Sequence, residues 1–235
     1  MTVSRALPAP RLTDGSIQPD LSRRSGYGEE YVLPFGPQIA ADEGSYHVLR
    51  NTTPGTGIAG AAAPTTMDNT KPFILLRAGA QLRAYLDFIK LVVTAAGTAG
   101  TLNYATHILD DGAGYTSGGE DLVQVNPSGD GGNISGLLIF KAGAVVATAG
   151  GSQRIIAHQR ARTVIPVVGD VLLFTFGRSE PALSGMALEG TTELERVIHC
   201  PPVILAPSNW YKLVLWRAGQ TAAASYEVEV GLWER

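Results

Sequence analysis

Gly55-Thr56-Gly57-Ile58-Ala59-Gly60 fits the glycine pattern with which dinucleotide-binding folds cradle a pyrophosphate. That chemistry needs a strand before the glycines and a helix after them, so that the helix N-terminus faces the phosphates. Pro64 and Pro72 follow too soon for such a helix, because proline removes a backbone donor and clashes with the preceding turn. No nucleotide or other cofactor is expected. Asp110, Asp111, Glu120, Asp121 and Asp130 offer oxygens to a hard cation such as calcium. Their spacing matches no known ligand loop, so they read as a solvated glycine-rich turn and no metal is expected.

His47, His107, His158 and His199 stand isolated, without the paired spacing of a metal enzyme. His199 adjoins Cys200, but neighbours on a strand point to opposite faces, which disfavours a Cys-His nucleophile pair. Ser135, Ser152 and Ser184 lack the Gly-x-Ser-x-Gly elbow of hydrolases. Carboxylate pairs for glycoside cleavage form in space rather than in sequence, so Glu180, Glu189, Glu193 and Glu195 stay open as the acid-base groups of a depolymerising enzyme. Trp210, Lys212, Val214 and Trp216 alternate along one strand and share a face. Two rings around a cation suit a sugar platform; the favoured reading is core or subunit-interface packing, since indoles bury large areas.

The elements that must position these residues read as β. At 235 residues the chain fits one all-β domain. Hydrophobic residues make up 45% and charged residues 17%, against a usual charged share of about 25%, which leaves ample core and a thinly charged surface suited to contacts. The net charge of -3 argues against nucleic acid and against a polybasic membrane face. One cysteine excludes a disulfide framework within the chain. Residues 1–12 lack the apolar core of a signal peptide, and the run 86–96, broken by Asp87 and Lys90, falls short of a bilayer span, so a soluble protein is expected.

Residues 1–45 carry Pro8, Pro10, Pro19, Pro34 and Pro37 without periodicity, and read as an extended N-terminal arm ordered against a partner. Tyr27, Tyr31 and Phe35 are its expected anchors on a neighbouring subunit, with Trp210 and Trp216 as further interface candidates. A Gly/Pro-rich leader covers 46–72, and a β-sandwich domain covers 73–235. Strands are expected at 73–77, 81–95, 101–110, 134–141, 144–149, 153–158, 163–165, 171–176, 196–200, 210–217 and 225–234. The second and third form a long-armed hairpin through 97–100, 110–133 is a glycine-rich loop, and 182–195 holds a helical turn or two. The last strand alternates Tyr226, Val228, Val230 and Leu232 with Ser225, Glu227, Glu229 and Gly231, which predicts one solvent-facing side and an edge guarded by glutamates. Leu76-Arg77-Ala78-Gly79, Phe140-Lys141-Ala142-Gly143 and Trp216-Arg217-Ala218-Gly219 read as strand ends entering hairpin turns.

Two stretches carry a resemblance. Asn51-Thr52-Thr53-Pro54-Gly55-Thr56-Gly57-Ile58-Ala59-Gly60-Ala61-Ala62-Ala63-Pro64-Thr65 resembles the leader before the β-domain in tailed-bacteriophage virion structural proteins of the capsid decoration (cement) type. Pro201-Pro202-Val203-Ile204-Leu205-Ala206-Pro207-Ser208-Asn209-Trp210, with Leu213-Val214-Leu215-Trp216 after it, is similar to the proline-rich turn and late strand of viral jelly rolls. The resemblance implies a mainly β, jelly-roll-like β-sandwich, a non-enzymatic homotrimer on the virion capsid surface, made in the host cytoplasm and bridging copies of the major capsid protein. The alternative is a receptor- or carbohydrate-binding module of a phage fibre or tail.

Overall fold

The computed structural model describes residues 22–24, 30–32, 40–41, 43–60, 66–97, 103–128, 134–162, 167–177, 195–217 and 222–235. Its strands are β1 Ser22–Arg24, β2 Glu30–Val32, β3 Tyr46–Arg50, β4 Ile58–Ala59, β5 Ile74–Arg77, β6 Ala84–Ala95, β7 Asn103–Asp111, β8 Gly114–Asp121, β9 Val123–Val125 and β10 Ile139–Thr148. They continue with β11 Ser152–Arg162, β12 Val171–Phe176, β13 Glu195–Cys200, β14 Ile204–Leu205, β15 Trp210–Arg217 and β16 Ser225–Glu234.

Two sheets pack as a sandwich. One has six strands in the order β11-β7-β15-β5-β10-β8. The other has eight, in the order β13-β12-β6-β16-β3-β9, with β14 also on β6 and β4 on β16. Every pairing in them is antiparallel except β12 with β13. Period-two alternation sends Ile89, Leu91, Val228 and Val230 of the larger sheet inward against Ile74, Leu76, Tyr211 and Leu213 of the smaller, all fully buried. Each such aliphatic side chain contributes roughly 1.5–3 kcal/mol. β1 and β2 pair with each other and with no sandwich strand among the described residues.

Several expectations change. The strands at 81–95 and 101–110 make no hairpin: β6 lies between β12 and β16, whereas β7 lies in the other sheet between β11 and β15. Alternation fixes which side chains face the core but not which strand becomes the neighbour. For the same reason Arg77 and Arg217 end strands at crossings between sheets rather than in hairpins. β16 keeps its boundaries yet sits in the middle of its sheet, so Glu229 pairs with Lys90 at 3.8 Å instead of guarding an edge. Residues 46–72 supply β3 and β4 to the larger sheet, and the glycine-rich loop at 110–133 contains β8 and β9. The strand at 163–165 and the helical turns at 182–194 lie outside the described residues.

The strands expected at 134–141 and 144–149 are one, β10, sharply bent. Lys141 and Lys212 both stand opposite Leu75, so a straight β10 would carry Thr148 about 23 Å further along. Lys212 Nζ nevertheless donates to the Thr148 carbonyl at 2.9 Å, so β10 turns back over the outer face of the six-stranded sheet and takes its partner β8 with it. The bend falls at the register break between Ala142 and Val145, where Gly143 has φ 99° and the facing Gly118 and Gly119 have φ 74° and 71°. A Cβ on Gly118 would stand 2.2 Å from the Ala144 carbonyl oxygen, so the fold needs glycine there. Beneath this flap Leu75, Ala113, Val145, Ala147 and Trp210 form a second small core.

Candidate functional site

Between the sheets lies a polar cluster that β7, β13 and β15 position. His107 Nδ1 lies 2.6 Å from the Tyr211 hydroxyl, and its Nε2 lies 3.7 Å from Cys200 Sγ. Phe174 and Phe176 of β12 meet the imidazole edge-on. Cys200 thus faces His107 across the core, while His199 on the opposite side of β13 bonds the Thr175 hydroxyl at 3.0 Å. This cysteine and histidine are close enough for nucleophile and base, but the electrostatics oppose it. Burial lowers the His107 pKa to about 4 and raises the Cys200 thiol to about 11, the Gln159 hydrogen bond opposing only in part. Burial also pushes Tyr211 well above the usual phenol range. Both shifts favour the neutral thiol and the neutral imidazole, which disfavours a thiolate nucleophile here.

A second cluster joins Ser135, Glu234 and His47. Ser135 Oγ and the Gly136 N–H each donate to Glu234 at 2.7 Å, and His47 Nε2 stands 3.8 Å from the same carboxylate. Burial lowers the His47 pKa, with Glu234 pulling the other way. Here the carboxylate separates serine from imidazole, whereas acyl transfer needs the imidazole between serine and acid. The group staples the start of the β10 segment to the end of β16. Beside it Leu82, Leu138 and Ile134 are exposed, Ile134 at 85%.

The third is the outer face of the six-stranded sheet. Asp110, Lys212, Thr106, Ile108 and Val214 point away from the sandwich core yet are fully buried. Lys212 Nζ donates to Asp110 Oδ2 at 2.7 Å, and the Gly150 N–H donates to the same oxygen at 3.1 Å. Asp110 Oδ1 has no hydrogen-bond partner. Further along the face, Tyr104 stacks on Trp216 at 4.2 Å and on the exposed His158 at 5.4 Å. On the opposite side of the molecule, Arg50, Lys90, Glu227 and Glu229 line a shallow groove of about 270 Å³ walled by Pro54. Asn51 fixes that wall by donating to the carbonyls of Thr53 and Thr56 at 3.0 and 2.7 Å.

Trp210, Lys212 and Trp216 share one face of β15, and the packing expected there holds for Trp210 as core rather than as subunit interface. Trp210 is 5% exposed, with the Arg77 guanidinium 5.1 Å over its ring, and so is unavailable to a subunit interface or a sugar. Trp216 is half-buried. Among the described residues of the acidic stretch, Asp110 pairs with Lys212, Asp111 with Arg154 and Asp121 with Lys141. Asp130, Tyr27, Phe35, Glu180, Glu189 and Glu193 lie outside the described residues, and Tyr31 lies in β2 opposite Arg23. Ile58 and Ala59 of the glycine pattern form β4 on β16, an extended geometry unlike a phosphate-binding turn. The His107–Tyr211–Cys200 cluster was missed because its members are far apart in sequence; the only signal was a histidine within a strand of apolar neighbours. No family model, curated protein or solved structure matches the chain.

Proposed function

We propose that this chain is a non-enzymatic structural subunit that decorates a tailed-phage capsid as a trimer and bridges copies of the major capsid protein. The observation that carries the reading is the path of the chain: β3, β5, β6, β7, β11, β12, β15 and β16 give β3-β16-β6-β12 facing β5-β15-β7-β11. We read that interleaving as a double Greek key of the jelly-roll kind, an architecture shared by viral capsid and lectin domains. A two-stranded hairpin alone is marginally stable, so β1–β2, which pairs with no sandwich strand among the described residues, suits an arm that docks on a neighbouring copy. Burial favours the neutral forms of His107, Cys200 and Tyr211, and Lys212 pairs with Asp110, which supports a packing role for these groups.

The test is native mass together with co-sedimentation on shells of the virion that carries the gene. A trimer that coats those shells is expected. A monomer that ignores them and binds glycans instead would favour the second reading, a carbohydrate-binding module using the half-buried Tyr104 and Trp216 beside exposed His158.

A further inference from the structure

We propose that Lys212 and Asp110 condense into an isopeptide bond that ties β15 to β7 beneath the flap. Both side chains are fully buried, on adjacent strands, with Lys212 Nζ 2.7 Å from Asp110 Oδ2. A nitrogen so placed stands about 3.5 Å from the carboxyl carbon, close to the separation of a near-attack pair. Two buried ions carry a desolvation penalty that a neutral amide removes. The hydrogen bonds around the pair favour the amide as well. Oδ2 accepts from the Gly150 N–H, a donor placed to hold the oxygen that becomes negative during attack. Oδ1 accepts from nothing, and Gly150 packs so closely against it that a Cβ there would overlap it.

The balance follows. The ammonium nitrogen loses two of its three protons, Nζ bonds to the Asp110 carboxyl carbon, and the bond from that carbon to Oδ1 breaks. Both protons leave on Oδ1 as one water, the positive and negative charges cancel, and no oxidant or co-reactant is needed. Oδ2 remains as the amide oxygen on the Gly150 N–H, and the remaining N–H keeps the Thr148 carbonyl, now at 2.9 Å. Every polar atom of the product then has a partner, which is not so for the ion pair. Thr148, Ala149 and Gly151 are exposed, so the water has a short way out past Gly150.

Intact mass spectrometry of the full chain in denaturant decides it. The expected mass is one water below the sequence mass, and digestion yields a branched peptide joining the Asp110 and Lys212 segments. Lys212→Arg should restore its own full sequence mass, and Asp110→Asn should lose one ammonia instead of one water. A wild-type chain at full sequence mass overturns the proposal. So does a water lost within a linear peptide, as a succinimide at Asp111-Gly112 would give. The wild-type measurement is decisive even where a variant does not accumulate.

Discussion

His107 shows how burial writes a pH response into a single side chain. In the unfolded chain its ring takes up a proton near the ordinary value of 6.5, and in the folded chain only near 4. Between those limits the unfolded state binds more protons, so stability is full above about 6.5 and falls as the pH drops towards 4. Urea unfolding of wild type should show a loss of about 3 kcal/mol from this group across that window, and His107→Gln should flatten that part of the profile. His47 is lowered by the same cause and adds in the same direction. Cys200, 5% exposed and with its thiol raised to about 11, should resist a thiol reagent at neutral pH and react fully in denaturant. Labelling of the folded protein as fast as of free cysteine would contradict the packing described for it.

The flap depends on backbone rather than on side-chain affinity. Gly118→Ala places a Cβ against the Ala144 carbonyl at a positive φ, and should lower stability by at least about 2 kcal/mol in thermal or urea unfolding. Limited proteolysis should then cut earlier at 148–151. This element also marks how far the sequence was legible. The limits of β15 and β16 follow from alternation alone, and both stand where the sequence placed them. Gly143 read as a strand end because positive φ usually means a turn; here it bends one strand without ending it. The face carrying Trp210, Lys212 and Trp216 was legible too. That it packs was legible as well; that β10 supplies the cover was not, because no local pattern encodes which distant strand folds across a face.

For the molecule as a whole, Ala40 is the residue at which packing against the sandwich is first seen among the described residues. It is 1% exposed, its carbonyl accepts from the Ser45 N–H at 2.7 Å, and the Ser45 carbonyl accepts from the Glu234 N–H at 3.0 Å, so Ala40 and Ser45 belong with the body. Deleting residues 1–39 should leave the melting temperature nearly unchanged while abolishing attachment to shells in co-sedimentation; a truncated chain that still coats particles at full occupancy refutes the arm's role. Deleting 1–45 would also remove the Ser45 carbonyl that pairs with the Glu234 N–H, and should cost stability directly.

The pairing of β3 with β16 has a consequence for synthesis. The first strand of the larger sheet borders the last, with Arg50 opposite Glu229, so the chain through Ser225–Glu234 must emerge from the ribosome before this sheet gains its centre. Until then β3 and β6 flank an empty place, and their apolar rows stand open to neighbouring nascent chains. With contacts so remote in sequence, refolding should take milliseconds to seconds, and translation stalled before residue 225 should leave an aggregation-prone fragment.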